Sequence, residues 1–164
     1  MKTLIAISDS HGRIENVNAL SVLVDENDYF IHLGDGANDV RELYKNNPDK
    51  TDICRGNCDF SSPYPLEYVL EIEWLKILCC HGHAYGVKDG LERLAKQAKE
   101  RGCQVVLYGH THLAQITEMD GVTLINPGTL RYPIGKGGGY AYLVVHKDKC
   151  TPVLVGDCLT ESKR

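Results

Sequence analysis

Short apolar runs alternate with amphipathic stretches in the first third of the chain. The apolar runs are rich in Leu and Ile, which is typical of buried β-strands. Between the first two runs, apolar residues recur at helical spacing from Ile14 to Val24. This spacing predicts a helix with Ile14 and Val24 on its inward face. A second helix, capped by Asn38 or Asp39, ends at Tyr44. The predicted strands span residues 2–8, 29–33 and 52–55, and the predicted helices span residues 13–24 and 39–44. This β-α-β-α-β order indicates a parallel sheet.

The pattern changes in the second half of the chain. Pairs of apolar runs are separated by short turns at Glu73-Trp74 and Asp120-Gly121, which predicts two hairpins. A longer amphipathic stretch, followed by Gly102, predicts a helix over residues 88–101. The predicted strands here span residues 66–72, 75–80, 105–108, 114–118, 122–125, 140–146 and 152–155. We therefore expect one α/β domain over residues 1–164, parallel in its first half and mostly antiparallel in its second.

Length and charge narrow the class of protein. The 164 residues fit one domain with a sizeable core. No apolar run approaches the roughly 20 residues of a membrane-spanning helix, and the run near the N-terminus is too short for a signal peptide, so we expect a cytoplasmic protein. The formal net charge is −4 and no basic stripe is present, so long nucleic acid is not an expected partner.

The seven cysteines do not form a recognisable framework. Their number is odd and no pair is spaced as C-x-x-C, which argues against a zinc knuckle and against disulfides. Most are expected to be small core residues in a reducing compartment. They are Cys54, Cys58, Cys79, Cys80, Cys103, Cys150 and Cys158.

Metal-ligand side chains follow five of the predicted strands, each beside a glycine. Because strand ends converge in a parallel sheet, we expect these side chains to meet in one crevice. Members of a pair two residues apart would face the same way on extended backbone. Isolated histidines inside strands, His32 and His146, are interpreted as structural. The five clusters are Asp9-Ser10-His11-Gly12, Gly34-Asp35-Gly36, Gly56-Asn57-Cys58-Asp59, His81-Gly82-His83 and Gly109-His110-Thr111-His112.

The mixture of ligands indicates the kind of metal site. Carboxylate, amide oxygen and imidazole together suit Mn²⁺, Fe²⁺, Ni²⁺, Zn²⁺ or Mg²⁺. The set is too large for one ion and sufficient for two. Two ions roughly 3.5–4 Å apart are the usual arrangement for hydrolysis of phosphate esters.

These motifs, in this order, resemble those of the calcineurin-like metallophosphoesterase superfamily. The G-N-C-D form and the N-P-G-T segment at residues 126–129 are most similar to its small prokaryotic phosphodiesterases. The resemblance implies a four-layered αββα sandwich of two mixed β-sheets flanked by helices. It also implies that Asp35 bridges two metal ions, for which Mn²⁺ is the first candidate. The first ion would be held by Asp9, His11 and His112, and the second by Asn57, His81 and His110.

The activity implied by the resemblance is hydrolysis of a small phosphodiester. A hydroxide between the two ions would attack phosphorus in line. Many members of the family have His, acting as general acid, where this chain has Cys58. A neutral thiol is a poor proton donor, so we expect slower turnover of esters with basic leaving groups. A nucleophilic role for Cys58 lacks an activating base.

Several alternatives stay open at this point. His83 is expected to face the crevice, where it contacts a substrate phosphate, shares in proton transfer or supports the ligands structurally. The principal rival function is a non-catalytic scaffold, as in the retromer subunit that resembles these enzymes, and a phosphomonoesterase or nuclease is a further alternative. The complete ligand set favours the enzyme. The expected partner is a small phosphate ester, and a homo-oligomer is possible.

Overall fold

The computed structural model describes residues 1–156 and shows two mixed five-stranded sheets. One sheet has the order β10-β9-β1-β2-β3 and the other the order β4-β5-β6-β8-β7. The strands of the described residues are β1 (Lys2–Ile7), β2 (Tyr29–His32), β3 (Thr51–Ile53), β4 (Glu67–Ile72), β5 (Leu75–Cys80), β6 (Val105–Leu107), β7 (Gln115–Met119), β8 (Val122–Asn126), β9 (Gly139–His146) and β10 (Lys149–Gly156).

The helices within residues 1–156 are short. The α-helices are α1 (Ile14–Asn18), α2 (Ser21–Glu26), α3 (Arg41–Asn46) and α4 (Glu92–Glu100), and two 3-10 helices span Ala37–Val40 and His83–Tyr85. No helix in this part of the chain has the length and apolar character needed to cross a membrane.

Alternating side chains of each strand build three apolar layers. In β1, Leu4 and Ala6 pack between the sheets, whereas Ile5 and Ile7 pack against the helices that follow β1 and β2. On the other sheet, Leu78 faces away from the first sheet and contacts α4. Because both faces of each sheet are covered, the central strands β1, β5 and β6 are mostly apolar. The result is the expected four-layered αββα sandwich, and the prediction of the fold class is confirmed.

The sheet pairings agree with the prediction of a mostly antiparallel second half, with one addition. The parallel pairing of β1, β2 and β3 is confirmed, as are the hairpins β4–β5 and β7–β8. The second sheet, however, has a parallel centre, because β6 pairs in parallel with both β5 and β8. This parallel centre places the carboxyl ends of β5 and β6 beside the loops of the first sheet.

Two helices are shorter in the structure than the hydrophobic pattern of the sequence predicts. The helix predicted over 13–24 is divided between α1 and α2, because the N–H of Leu20 bonds to Val17 O in a tight turn. Ile14, which was expected to face inward, is 47% exposed. The helix predicted from residue 88 begins at Glu92, because Gly90 has φ of 145°, a value incompatible with a helix.

Candidate metal centre

Six of the seven predicted metal ligands lie together at the edge where the two sheets meet. They follow the carboxyl ends of β1, β2, β5 and β6. They form two groups of three, and within each group the ligand atoms lie within 4.8 Å of one another. The first group is Asp9, His11 and His112, and the second is Asp35, His81 and His110.

The side chains within each group lie close together, and the two groups lie close to each other. In the first group, Asp9 Oδ1 lies 3.1 Å from His112 Nε2 and 3.5 Å from His11 Nε2. In the second group, His81 Nε2 lies 3.2 Å from Asp35 Oδ2 and 3.2 Å from His110 Nδ1. Between the groups, His11 Nε2 lies 3.8 Å from Asp35 Oδ2 and His81 Nε2 lies 3.9 Å from Asp9 Oδ1. The two groups are therefore side by side, with a carboxylate in each.

One carboxylate oxygen of Asp9 lacks a hydrogen-bond partner in the described protein, and a metal ion would supply one. The Asp9 side chain is fully buried, and its Oδ1 accepts no hydrogen bond from the described residues. Burying a carboxylate oxygen without a partner is costly. Imidazole nitrogens of His11, His81 and His112 surround this oxygen. Carboxylate and imidazole are donors that divalent metal ions take in proteins, so the residues present fit such an ion.

These contacts set the charges of the six side chains in the two groups, which together are called the cluster. Burial raises the pKa of Asp9, but the adjacent imidazoles outweigh burial and hold that pKa well below its usual range. For Asp35, burial likewise raises the pKa, but the hydrogen bond and charge of His81 lower it to about 2. The pKa of His11 is raised, principally by Asp9. Both acids are therefore ionised near neutral pH and offer negatively charged oxygens.

The cluster is built on left-handed backbone. Nine non-glycine residues of the described chain have positive φ, and five of them belong to the cluster. A non-glycine residue in this region costs of order 1–3 kcal/mol and concentrates at functional sites. The prediction that paired ligands sit on extended backbone is therefore wrong; tight loops bring them together instead. The five residues and their φ angles are Asp9 (55°), His11 (44°), Asp35 (56°), His110 (71°) and His112 (63°).

The glycines of the motifs allow these loops to approach one another closely. A Cβ atom on Gly56 would lie 2.2 Å from Asp35 Oδ1, and one on Gly109 would lie 2.0 Å from Ser8 Oγ. Neither distance is physically possible. Any side chain at either position would push the ligand loops apart.

Asp59 clamps the loop that carries Asp35. Its Oδ2 accepts the N–H groups of Asp35 (2.7 Å) and Gly56 (2.8 Å). Its Oδ1 accepts the N–H groups of Gly36 (2.9 Å) and Ala37 (3.0 Å). The residue before Asp59 is Cys58 rather than a histidine, and the Asp59 carboxylate fixes backbone. No sequence pattern connects Asp59 to residues 35–37, which lie more than twenty positions away.

A second buried network holds the loop of Asp9 and His11. The Ser10 hydroxyl donates to Asp39 Oδ2 (2.7 Å), so it accepts from His32 Nε2 (2.9 Å). His32 Nδ1 in turn accepts the N–H of Gly34 at 3.0 Å. These bonds fix one neutral tautomer of His32, and burial lowers its pKa to about 4. The interpretation of His32 as structural agrees with this network.

Asp39 departs from its predicted role. It was one of two expected caps for a helix ending at Tyr44, but that segment is a 3-10 helix followed by α3 and shows no side-chain cap. Asp39 Oδ2 instead accepts from Ser10 and from the N–H of Gly12 at 2.8 Å. The carboxylate reaches back to the β1 loop because that loop offers two donors.

Asn57 and Cys58 lie at the exposed rim. Within the described residues, the only side-chain hydrogen bond of Asn57 is its 3.5 Å contact to Cys58 Sγ. Cys58 Sγ lies within 4.8 Å of ligand atoms of His11 and Asp35, and the N–H of Cys58 donates to Asp35 Oδ1 at 2.7 Å. Burial, and then the charge of Asp35, raises the pKa of the Cys58 thiol, so it is neutral near pH 7.

The other cysteines are placed largely as expected. Cys54, Cys79, Cys80 and Cys103 are buried, Cys150 is half-buried, and the six cysteines within residues 1–156 are free. Cys158 lies outside the described residues.

His83 lies beside the second group of ligands. Its ring centroid is 5.4 Å from that of His81 and 6.1 Å from that of His110. Its Nδ1 is buried without a hydrogen-bond partner in the described chain, and burial lowers its pKa. The structure therefore places a neutral imidazole next to the cluster.

Comparisons with known proteins agree with this geometry. The model of the calcineurin-like phosphoesterase superfamily domain matches residues 1–149. The chain is 34% identical over 152 residues to YsnB of Bacillus subtilis, a probable metallophosphoesterase, which covers 90% of this chain and 87% of YsnB. It is 29% identical over 139 residues to phosphodiesterase MJ0936 of Methanocaldococcus jannaschii, covering 74% of this chain and 80% of the relative. A conserved Streptococcus pneumoniae protein, described as a predicted phosphoesterase, has a similar structure, with a TM-score of 0.74, 26% identity and coverage of 93% of this chain and 97% of that chain.

Proposed function

Because this chain belongs to the calcineurin-like phosphoesterase superfamily and is a metallophosphoesterase, we propose that it hydrolyses a small phosphodiester at a centre of two divalent metal ions. The supporting observation is the pair of adjacent ligand groups around a buried, unpartnered carboxylate oxygen. A scaffold would have no use for six metal-ligand side chains gathered on strained backbone.

In this proposal the first ion is held by Asp9, His11 and His112, and the second by His81 and His110. Asp35 would bridge the two, and the exposed Asn57 would complete the second set. Bound divalent ions would lower the pKa of water and offset the charge of a phosphoryl group. Mn²⁺ is the first candidate, with Ni²⁺, Fe²⁺, Zn²⁺ and Mg²⁺ as alternatives.

The side chains of the protein have separate tasks in this reaction. The ionised Asp9 and Asp35 supply the negative charge that keeps two cations in one site. Asp59 and Asp39 hold the ligand loops, so the cluster need not reorganise when substrate binds. His83 is placed to contact a phosphoryl oxygen, whereas its lowered pKa disfavours the protonated form that could pass a proton to the leaving group. Cys58 carries neither a charge nor a readily released proton near pH 7.

A diester with an acidic leaving group tests the proposal most cleanly, because it does not need a proton donor. Chelator-stripped protein would be assayed with bis(p-nitrophenyl) phosphate, with and without added Mn²⁺, beside Asp35→Asn. The matched control is Asp120→Asn, which replaces an Asp of the same left-handed conformation (φ 53°) in a hairpin turn away from the cluster.

We expect hydrolysis that requires the metal, is retained by Asp120→Asn and falls by more than about 100-fold in Asp35→Asn, which exceeds the effect typical of an outer hydrogen-bond partner. Faster hydrolysis of p-nitrophenyl phosphate in the same assay would favour a phosphomonoesterase. A folded, metal-loaded protein that is inert with all five ions would contradict the proposal.

A further inference from the structure

A third group of possible ligand atoms overlaps the two groups of the metal centre. It joins Cys58 Sγ to a nitrogen of His11 and a carboxylate oxygen of Asp35, and the three atoms lie within 4.8 Å of one another. Bonds from a zinc ion to such donors are about 2.0–2.3 Å long, so two donors of one ion lie at most about 4.6 Å apart. The spacing of the three atoms is therefore close to that of donors that share one ion.

Hydrogen bonds hold Cys58 beside Asp35, although the Cys58 side chain is exposed. The N–H of Cys58 donates to Asp35 Oδ1 at 2.7 Å. The turn around Cys58 is closed as well, because the N–H of Asp59 donates to Gly56 O at 3.2 Å and Asp59 Oδ2 accepts the N–H of Gly56 at 2.8 Å. Only the rotation of one side-chain bond remains to place the sulfur, so little conformational freedom is lost when the thiol binds an ion.

A second, independent observation indicates an ion next to this third group. Asp9 Oδ1 is buried, accepts no hydrogen bond from the described residues and lies 3.5 Å from His11 Nε2. His11 belongs both to this pair and to the group that contains Cys58. An ion that binds Asp9 Oδ1 and His11 is therefore bound to a member of the third group.

Sulfur differs from the other donors of the cluster in the ions that it prefers. The six side chains of the cluster offer carboxylate oxygen and imidazole nitrogen, which bind Mn²⁺ and Zn²⁺ alike. Thiolate sulfur binds Zn²⁺ strongly, whereas Mn²⁺ prefers oxygen donors and water. A thiol that binds an ion releases its proton to solvent, and only an ion that forms a strong bond to sulfur offsets this loss.

Building on the proposed function, we propose that Cys58 is an additional ligand of the first ion, and that it binds Zn²⁺ but not Mn²⁺. The oxygen and nitrogen donors hold either ion, and the sulfur adds a bond only to the softer one. Cys58 thereby influences which metal the centre retains. The protein holds Zn²⁺ more tightly, relative to Mn²⁺, than its oxygen and nitrogen donors alone would hold it.

Metal affinity at one fixed pH tests this role without a measurement of hydrolysis. Chelator-stripped wild-type protein, Cys58→Ala and Cys150→Ala would each be titrated with Zn²⁺ and with Mn²⁺ in the presence of a competing chelator. Cys150 is the matched control, because this half-buried cysteine pairs with Val145, which pairs with Lys2 at the end of β1 away from the cluster. A further titration would use Co²⁺ in place of Zn²⁺, because a cobalt–sulfur bond gives a charge-transfer absorption in the near ultraviolet.

We expect Cys58→Ala to weaken Zn²⁺ binding by at least about tenfold, since even the loss of an outer partner of a metal ligand costs about 10–100-fold. Mn²⁺ binding should be unchanged, and Cys150→Ala should bind both ions as the wild-type protein does. The cobalt–sulfur absorption should be present in the wild-type protein and in Cys150→Ala and absent in Cys58→Ala. Equal Zn²⁺ affinity of the wild-type protein and Cys58→Ala, an equal loss for both ions, or a cobalt–sulfur absorption that persists in Cys58→Ala would overturn the proposal.

Failure of the ligand role and failure of the proposed function give different results. If the wild-type protein binds Mn²⁺ and hydrolyses bis(p-nitrophenyl) phosphate, but Cys58→Ala binds Zn²⁺ normally, only the role of Cys58 is overturned. If Cys58→Ala shows the expected loss of Zn²⁺ affinity but the wild-type protein hydrolyses no ester, the ligand role is supported and the proposed function fails. A wild-type protein that binds neither ion would overturn both.

Discussion

The loops that follow β1 and β2 differ from the loops that follow β5 and β6 in what holds them. In the first sheet, Asp39 and Asp59 accept backbone N–H groups from the ligand loops, and Asp59 alone accepts four. In the second sheet, part of the support comes from the first: His81 Nδ1 lies 2.8 Å from Leu33 O, and the N–H of His110 donates to Asp9 Oδ2 at 3.0 Å. The rest comes from Asn126 of β8, whose Nδ2–H donates to Gly109 O at 3.1 Å.

Exposure separates the two carboxylates from His112, but it does not follow the division between the sheets, because His11 of the first sheet is 23% exposed and His81 of the second is fully buried. The side chains of Asp9 and Asp35 are 0% and 3% exposed, whereas that of His112 is 33% exposed. A cleft lined in part by Thr111, Leu113 and Gln115 also borders the second-sheet loops. The comparison teaches that the first sheet supplies a rigid base with both carboxylates, and that the second sheet supplies three of the four clustered histidines.

The largest effect is expected from Asp59→Asn. The amide nitrogen of Asn would face two N–H donors, and each unsatisfied buried donor costs about 1–3 kcal/mol. We therefore expect the free energy of unfolding to fall by about 2–5 kcal/mol and Mn²⁺ affinity to fall about 10–100-fold. Urea unfolding and metal titration would measure both. A variant as stable as the control Asp120→Asn would show that the rigid base does not depend on this clamp.

An intermediate effect is expected from His32, which should change the free energy of unfolding only at acidic pH. The pKa of His32 is about 4 in the folded protein against an ordinary 6.5, so the unfolded chain binds an additional proton between these values. Stability contributed by neutral His32 is complete above pH 6.5 and is lost as the pH falls towards 4, by up to about 3 kcal/mol.

Comparison with a variant isolates this contribution, because His11 and His81, whose pKa values are raised, act in the opposite direction. His32→Asn keeps an acceptor for Gly34 and should lose less stability than the wild-type protein between pH 6.5 and 4.5. Metal-free urea unfolding at several pH values would measure this, with the exposed His146→Asn as control. Parallel pH curves for the wild-type protein and His32→Asn would contradict the account.

The smallest effect is expected from Cys58→Ala. Because the thiol is exposed and neutral, hydrolysis of bis(p-nitrophenyl) phosphate should change far less than the about 100-fold or more that loss of a proton donor or nucleophile costs. Initial rates at pH 7 and an unchanged Mn²⁺ titration would test this. A loss of activity as large as that of Asp35→Asn would place Cys58 in the chemistry.

The sequence predicts that side chains able to hold a metal ion come together, because the motifs lie at strand ends and strand ends converge in parallel sheets. Asp9, Asp35 and His81 meet as this rule requires. The rule fails for local conformation: His11 and His112 lie on left-handed backbone, which spacing alone does not reveal. The division of the helix after Leu20 likewise depends on packing against the sheet.

The supporting residues could not be predicted from local patterns. Ser10 bonds to Asp39 across 29 positions, and Asp59 bonds to Ala37 across 22. Such contacts depend on how close two loops come in the folded protein. In a sequence, an Asp near the start of a helix suggests a helix cap. The Asp39 carboxylate instead accepts hydrogen bonds from the loop that follows β1.

The most direct test of the central claim is a count of metal ions by titration of chelator-stripped protein with Mn²⁺, followed by electron paramagnetic resonance. The account predicts two ions per chain with a spin-coupled spectrum, and loss of the coupling in Asp35→Asn but not in Asp120→Asn. One ion per chain, or two ions that show no coupling in the wild-type protein, would contradict a shared centre bridged by Asp35.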